Sequence, residues 1–117
     1  MAGQSKIKLL IFTPTLQCGG SEKFVSTLCN NINTGQFSVS LAVLNNANPF
    51  YNINNTAVEV IDLGTGRVRN SLLRIKKLVN KTRPDIIFST ANHLNLFFAI
   101  FRRWFPGNIK FVARESS

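Results

Sequence analysis

Hydrophobic positions fall along this chain in two rhythms. Residues 7–13 read Ile-Lys-Leu-Leu-Ile-Phe-Thr, an apolar run rich in β-branched and aromatic types with no helical spacing, the pattern of a strand buried on both faces. Such a strand needs a covering layer on each side, so it predicts a layered α/β domain with this strand at its centre. After Gly19-Gly20, the residues Phe24, Val25, Leu28, Cys29 and Ile32 recur at the i, i+4, i+8 spacing of an amphipathic helix over residues 21–32. Ser21 is its expected cap, and Glu22 falls in the first turn, against the positive end of the helix dipole.

The same rhythms continue to the last residues. Residues 37–44 predict a second strand, the Asn-rich stretch 45–56 a loop, and residues 58–63 a shorter third strand near an edge. Val68, Leu72, Ile75 and Val79 form the apolar stripe of a helix over residues 68–81, while Arg67, Arg74, Lys77 and Lys81 gather on its opposite side. Arg83-Pro84 stops that helix, and the apolar residues 85–89 predict a fourth strand in a second central position. Asn92 is the expected cap of a third helix over residues 93–104, apolar around most of its circumference, with Asn95, Arg102 and Arg103 on the narrow polar side. Pro106-Gly107 breaks it before a fifth strand at residues 109–114. The alternation predicts a Rossmann-like parallel sheet with helices on both faces, right-handed crossovers and the strand order 3-2-1-4-5. The switch point then falls between the first and fourth strands, in a crevice bounded by Gly19-Gly20 and Asn92-His93.

Composition narrows the function. At 117 residues and 44% hydrophobic, the chain has the length and apolar content of one globular domain. A net charge of +9 favours an anionic partner: nucleic acid, lipid headgroups or a phosphorylated substrate. Cys18, Cys29 and the one histidine, His93, have no metal-ligand spacing and no disulfide framework, so no metal is expected and a reduced, cytoplasmic compartment is. The first apolar run is too short for a secretory signal, and no run approaches the roughly 18 residues of a membrane span. The richest apolar stretch, residues 94–105, suits lying on a membrane surface rather than crossing it.

Gly19-Gly20 ahead of a helix start leaves amides that can hold phosphate. The turn is neither GxGxxG nor GxxxxGK[ST], so the dinucleotide fingerprint and the Walker A loop are absent. Cys18 has no recognisable base beside it and is not assigned as a nucleophile.

Three separated motifs resemble one family. Cys18-Gly19-Gly20-Ser21-Glu22-Lys23-Phe24 is similar to the G-G-A-E-R segment that follows the first strand of GT4-type retaining glycosyltransferases. Pro84-Asp85-Ile86-Ile87-Phe88-Ser89, with Asn92-His93-Leu94-Asn95 after it, resembles the family's P-D-V-V-h-S strand and H-x-N helix start. Phe111-Val112-Ala113-Arg114-Glu115-Ser116 resembles the ending of its next strand. The resemblance implies the GT-B architecture of two Rossmann-like domains facing across a cleft. Residues 1–117 would then be an incomplete amino-terminal, acceptor-side domain, without the carboxyl-terminal donor domain and inactive alone. It implies a nucleotide-sugar donor, bound as substrate rather than cofactor, and a glycan or lipid-linked acceptor. By the same resemblance Gly19 and Gly20 form the donor diphosphate loop, His93 acts beside the transferred sugar, and Asn92 and Glu115 line the acceptor side of the cleft. Ser21 departs from the usual Ala. An anionic membrane surface is a further expected partner, through Arg67, Arg74, Lys77, Lys81, Arg102 and Arg103. The alternative is a basic phosphate- or nucleic-acid-binding α/β module. With no helix-turn-helix, RNP-like strand or basic-aromatic ladder, nucleic acid is not the expected partner.

Overall fold

Five strands lie side by side in one parallel sheet: β1 (Ile7–Thr13), β2 (Phe37–Val43), β3 (Glu59–Asp62), β4 (Ile86–Ser89) and β5 (Lys110–Ala113). Their order is β3-β2-β1-β4-β5, the one the sequence pattern predicts. The computed structural model describes residues 6–13, 20–44, 53–64, 72–90, 92–105 and 107–113. Among the described residues, three helices join the strands: α1 (Gly20–Asn31), α2 (Leu72–Thr82) and α3 (Asn92–Ile100), the last followed by a 3-10 turn at Arg102–Trp104.

β1 is central because alternate side chains find apolar cover on opposite faces. Leu10 and Phe12 pack with Ile75 and Val79 of α2 and with Leu94 and Phe98 of α3. Leu9 and Ile11 pack on the other face with Val25 and Cys29 of α1. Crossovers of one hand require this division, since the chain moves outward from β1 in one direction through β2 and β3 and in the other through β4 and β5. Phe98 is a hub, its ring centroid 5.1 Å from that of Phe12, 5.7 Å from Phe105 and 5.8 Å from Phe111.

The described end of the crossover from β2 to β3, residues 53–58, lies on the α1 side. Asn30 of α1 accepts through Oδ1 from the amides of Asn54 (2.7 Å) and Asn55 (3.2 Å), while Asn55 Nδ2 donates to the Cys29 carbonyl (3.1 Å). Asparagines in this stretch therefore serve as a clasp for backbone that has no helical ladder of its own.

At the amino end of the sheet, Asp85 pegs β4 between its neighbours. Its carboxylate Oδ2 accepts from the Lys8 amide (2.8 Å), its amide donates to the Lys8 carbonyl (2.8 Å), and its own carbonyl accepts from the Lys110 amide (3.0 Å). Just before it, Arg83 closes α2 by donating its amide to the Val79 carbonyl at a positive φ of 48°, which turns the chain sharply into Pro84.

Several sequence expectations are corrected. Both α1 and α3 begin one residue early, so Ser21 and Asn92 stand inside the first turn instead of capping it. α3 ends at Ile100, not at Trp104. The approach of Pro106, which has no amide to donate, leaves residues 102–104 in the tighter 3-10 turn closed by the Phe105 amide on the Arg102 carbonyl. Asn95 does not share a polar side with Arg102 and Arg103; it turns inward toward β4. Phe24 lies at the rim of the α1 face, partly exposed, with its ring edge-on to Phe88.

Candidate functional site

The two central strands change character at their carboxyl ends. β1 runs through buried Leu10, Ile11 and Phe12 and closes on Thr13; β4 runs through buried Ile87 and closes on Ser89, followed by Thr90. Thr13, Ser89 and Thr90 are all buried. The pairing of Phe12 with Ser89 brings these hydroxyls to one edge of the sheet, at the point where the strand order reverses. In parallel α/β sheets that point is a crevice open to ligands, because the chain leaves β1 and β4 toward opposite faces.

The three residues are engaged differently. The Thr13 carbonyl accepts from the Leu44 amide (3.1 Å), joining the end of β1 to the end of β2. Ser89 Oγ donates to Asn95 Oδ1, which ties the end of β4 to the first turns of α3. Thr90 Oγ1 is buried with no hydrogen-bond partner among the described residues. Sequence reasoning passes over these residues, although the signal is there: hydroxyl side chains end runs that are otherwise apolar.

Two helix starts stand at this same end of the sheet. α1 begins at Gly20 immediately beyond the connection from β1, and α3 begins at Asn92 two residues beyond Thr90. Their first amides lack intrahelical partners and carry partial positive charge, so the crevice favours an anion or a developing negative charge. Glu22 is the one acid in the first turn of either helix, half-buried and engaged.

The expected site residues divide as follows. Gly20, Asn92 and His93 are at the helix starts flanking the switch point, where the description covers their backbone. Gly19 and Glu115, and Arg67 of the basic set, lie outside the described residues, as does Cys18. Arg74, Lys77 and Lys81 are exposed on α2, and Arg102 and Arg103 are exposed beyond α3; none of these five belongs to the crevice. Cys29 is buried under α1, and burial pushes its thiol from 9.0 up to about 11, so it is a packing residue. Among the described residues, no three His, Cys, Asp or Glu side chains gather to hold a metal. No helix among them is long and apolar enough to cross a membrane.

A groove of about 450 Å³ lies at the opposite, amino end of the sheet, lined by Asn80, Arg83, Pro84, Asn108 and Ile109. Among the described residues it holds one cation and no acid or nucleophile, and these walls are a helix end and a strand entry rather than convergent polar groups. A second groove, about 350 Å³, runs along α2 beside the end of β3, lined by Asp62, Leu63, Arg74, Lys77, Leu78 and Lys81. No family model, no curated protein and no solved structure matches this chain.

Proposed function

We propose that this chain is the acceptor-side, Rossmann-like domain of a retaining glycosyltransferase that draws its sugar from a nucleotide-sugar donor and works in the cytoplasm. The observation that carries the reading is the switch point between β1 and β4, with the start of α1 at Gly20 on one side and the start of α3 at Asn92 and His93 on the other. The residues at those two helix starts belong to two of the motifs that resemble the glycosyltransferase family.

The chemistry fits such a crevice. Glycosyl transfer builds positive character on the sugar ring and negative charge on the departing diphosphate. Helix-start amides at Gly20 would stabilise the diphosphate side, and His93 would serve the sugar side, both preset before the reaction. One Rossmann-like sheet supplies one wall of the cleft, so transfer requires a second, donor-binding domain to fix the geometry. Residues 1–117 alone would bind phosphate weakly and leave the donor unreacted.

The test is to incubate the full-length gene product with a panel of nucleotide sugars and mixed glycan and glycolipid acceptors, following free nucleotide and the anomeric configuration of the product. Acceptor-dependent nucleotide release with retention is the expected result. Turnover of none of the donors by a folded, full-length sample would reject the reading.

A further inference from the structure

Three side chains stand out from the surface. Leu73, Leu96 and Ile100 are 74%, 61% and 63% exposed, more than any other large apolar side chain among the described residues. Leu73 is on α2 and the other two on α3, and both helices cover the same face of the sheet.

Helical spacing explains why. Ile75 and Val79 turn α2 inward, which leaves Leu73, Arg74, Lys77, Asn80 and Lys81 in one outward stripe. Leu94 and Phe98 turn α3 inward, which leaves Leu96, Ala99 and Ile100 outward with no charge among them. Asn95, a polar neighbour of this stripe, is spent on Ser89 instead. Exposed Arg102 and Arg103 follow directly where α3 ends, the former with its guanidinium 5.5 Å from the centre of the Phe111 ring.

The charge on these helices has one sign. Neither α2, α3 nor the 3-10 turn after it contains an acidic residue. Asp62 stands at the wall of the groove that Arg74, Lys77 and Lys81 line, and it accepts from the Gly64 amide at 2.8 Å. Arg74 is held in place there by donating to the Leu63 carbonyl. Apolar knobs beside a row of cations, on helices without acids, suit a surface that offers negative charge outside and hydrocarbon just beneath.

We propose that the outward face of α2 and α3 docks on an anionic lipid bilayer. Leu73, Leu96 and Ile100 enter the headgroup boundary, Lys77, Lys81, Arg102 and Arg103 meet lipid phosphates, and the α2 groove seats one headgroup. A second copy of this chain fits the face poorly, because it would bring the same cations together. RNA would satisfy the cations and leave the α3 stripe in water. The proposal does not rest on the glycosyltransferase reading, and its test involves no activity.

The experiment is flotation of the full chain with vesicles of phosphatidylcholine, with and without phosphatidylglycerol, at low and high salt, with circular dichroism to verify folding. Binding should require phosphatidylglycerol and fall with salt. The Lys77→Gln/Lys81→Gln variant should bind about thirtyfold more weakly, from about 1 kcal/mol for each of the two cations removed. Leu96→Ser/Ile100→Ser changes exposed positions only, so it should stay folded and also lose binding. No binding to anionic vesicles, equal binding to neutral ones, or unchanged binding by both variants would overturn the proposal. So would protection of this face by RNA, or a dimer that the Leu96→Ser/Ile100→Ser variant dissolves.

Discussion

Ser89, the last residue of β4, donates its hydroxyl hydrogen to Oδ1 of Asn95, on the first turns of α3. This contact fixes the helix that carries Asn92 and His93 against the strand end at the switch point. It also draws inward a polar side chain that lies beside the outward stripe of α3.

Replacing either partner leaves the other without this bond in a buried or half-buried place, and a lost hydrogen bond of that kind costs about 1–2 kcal/mol. Ser89→Ala and Asn95→Ala should each lower the urea midpoint, and the double variant should lose less than the sum of the two. Additive losses would show that the pair is not coupled.

Thr90→Val should do the reverse. It replaces a buried hydroxyl that has no partner among the described residues with a methyl group of the same shape, and relief of an unsatisfied polar group is worth about 1 kcal/mol. Denaturant unfolding checks this. A lower midpoint would mean that the residues outside the described set supply Thr90 with a partner.

Burial raises the Cys29 thiol from 9.0 to about 11. The folded state therefore holds this proton more tightly than the unfolded chain, and the contribution to stability is full below pH 9 and lost as pH rises toward 11. In a Cys18→Ser background, stability should fall more steeply over that window than in the matching Cys29→Ala variant. Cys29 should also resist thiol reagents near neutral pH until the protein unfolds.

Under the proposed glycosyltransferase function, His93→Ala in the full-length gene product should lower turnover on the order of a hundredfold while leaving the unfolding midpoint nearly unchanged, the scale for losing one positioned polar group. Steady-state kinetics beside a melting curve separates the two effects. Normal turnover in a folded variant would return His93 to an ordinary helix-start residue.

The sequence by itself determined the architecture. Ile7–Thr13 is apolar at positions that face both ways, which demands cover on two sides, and the spacing of Val25 with Cys29 and of Ile75 with Val79 supplies helices of matching period. Local chemistry and the single hand of crossover then leave few orders for five strands, and the observed one is among them. The two helix starts at the crevice were legible for the same reason, since the order of strands dictates which connections meet at the reversal.

Tertiary structure alone decided which polar residues point where. Asn95 looks like a surface residue in a helical pattern, yet the end of β4 offers it Ser89, and a hydrogen bond to a buried hydroxyl outweighs solvation on the outer side. The hydroxyls of Thr13, Ser89 and Thr90 come together only through the register of β1 with β4, a contact between residues far apart in sequence that no local period encodes. The same holds for Asn30, which clasps the crossover to β3 from a helix whose apolar stripe alone was readable. Periodicity reports which side of an element is covered, because burial acts on every residue in a stripe; it is silent about pairwise hydrogen bonds, which depend on the one neighbour that folding brings within reach.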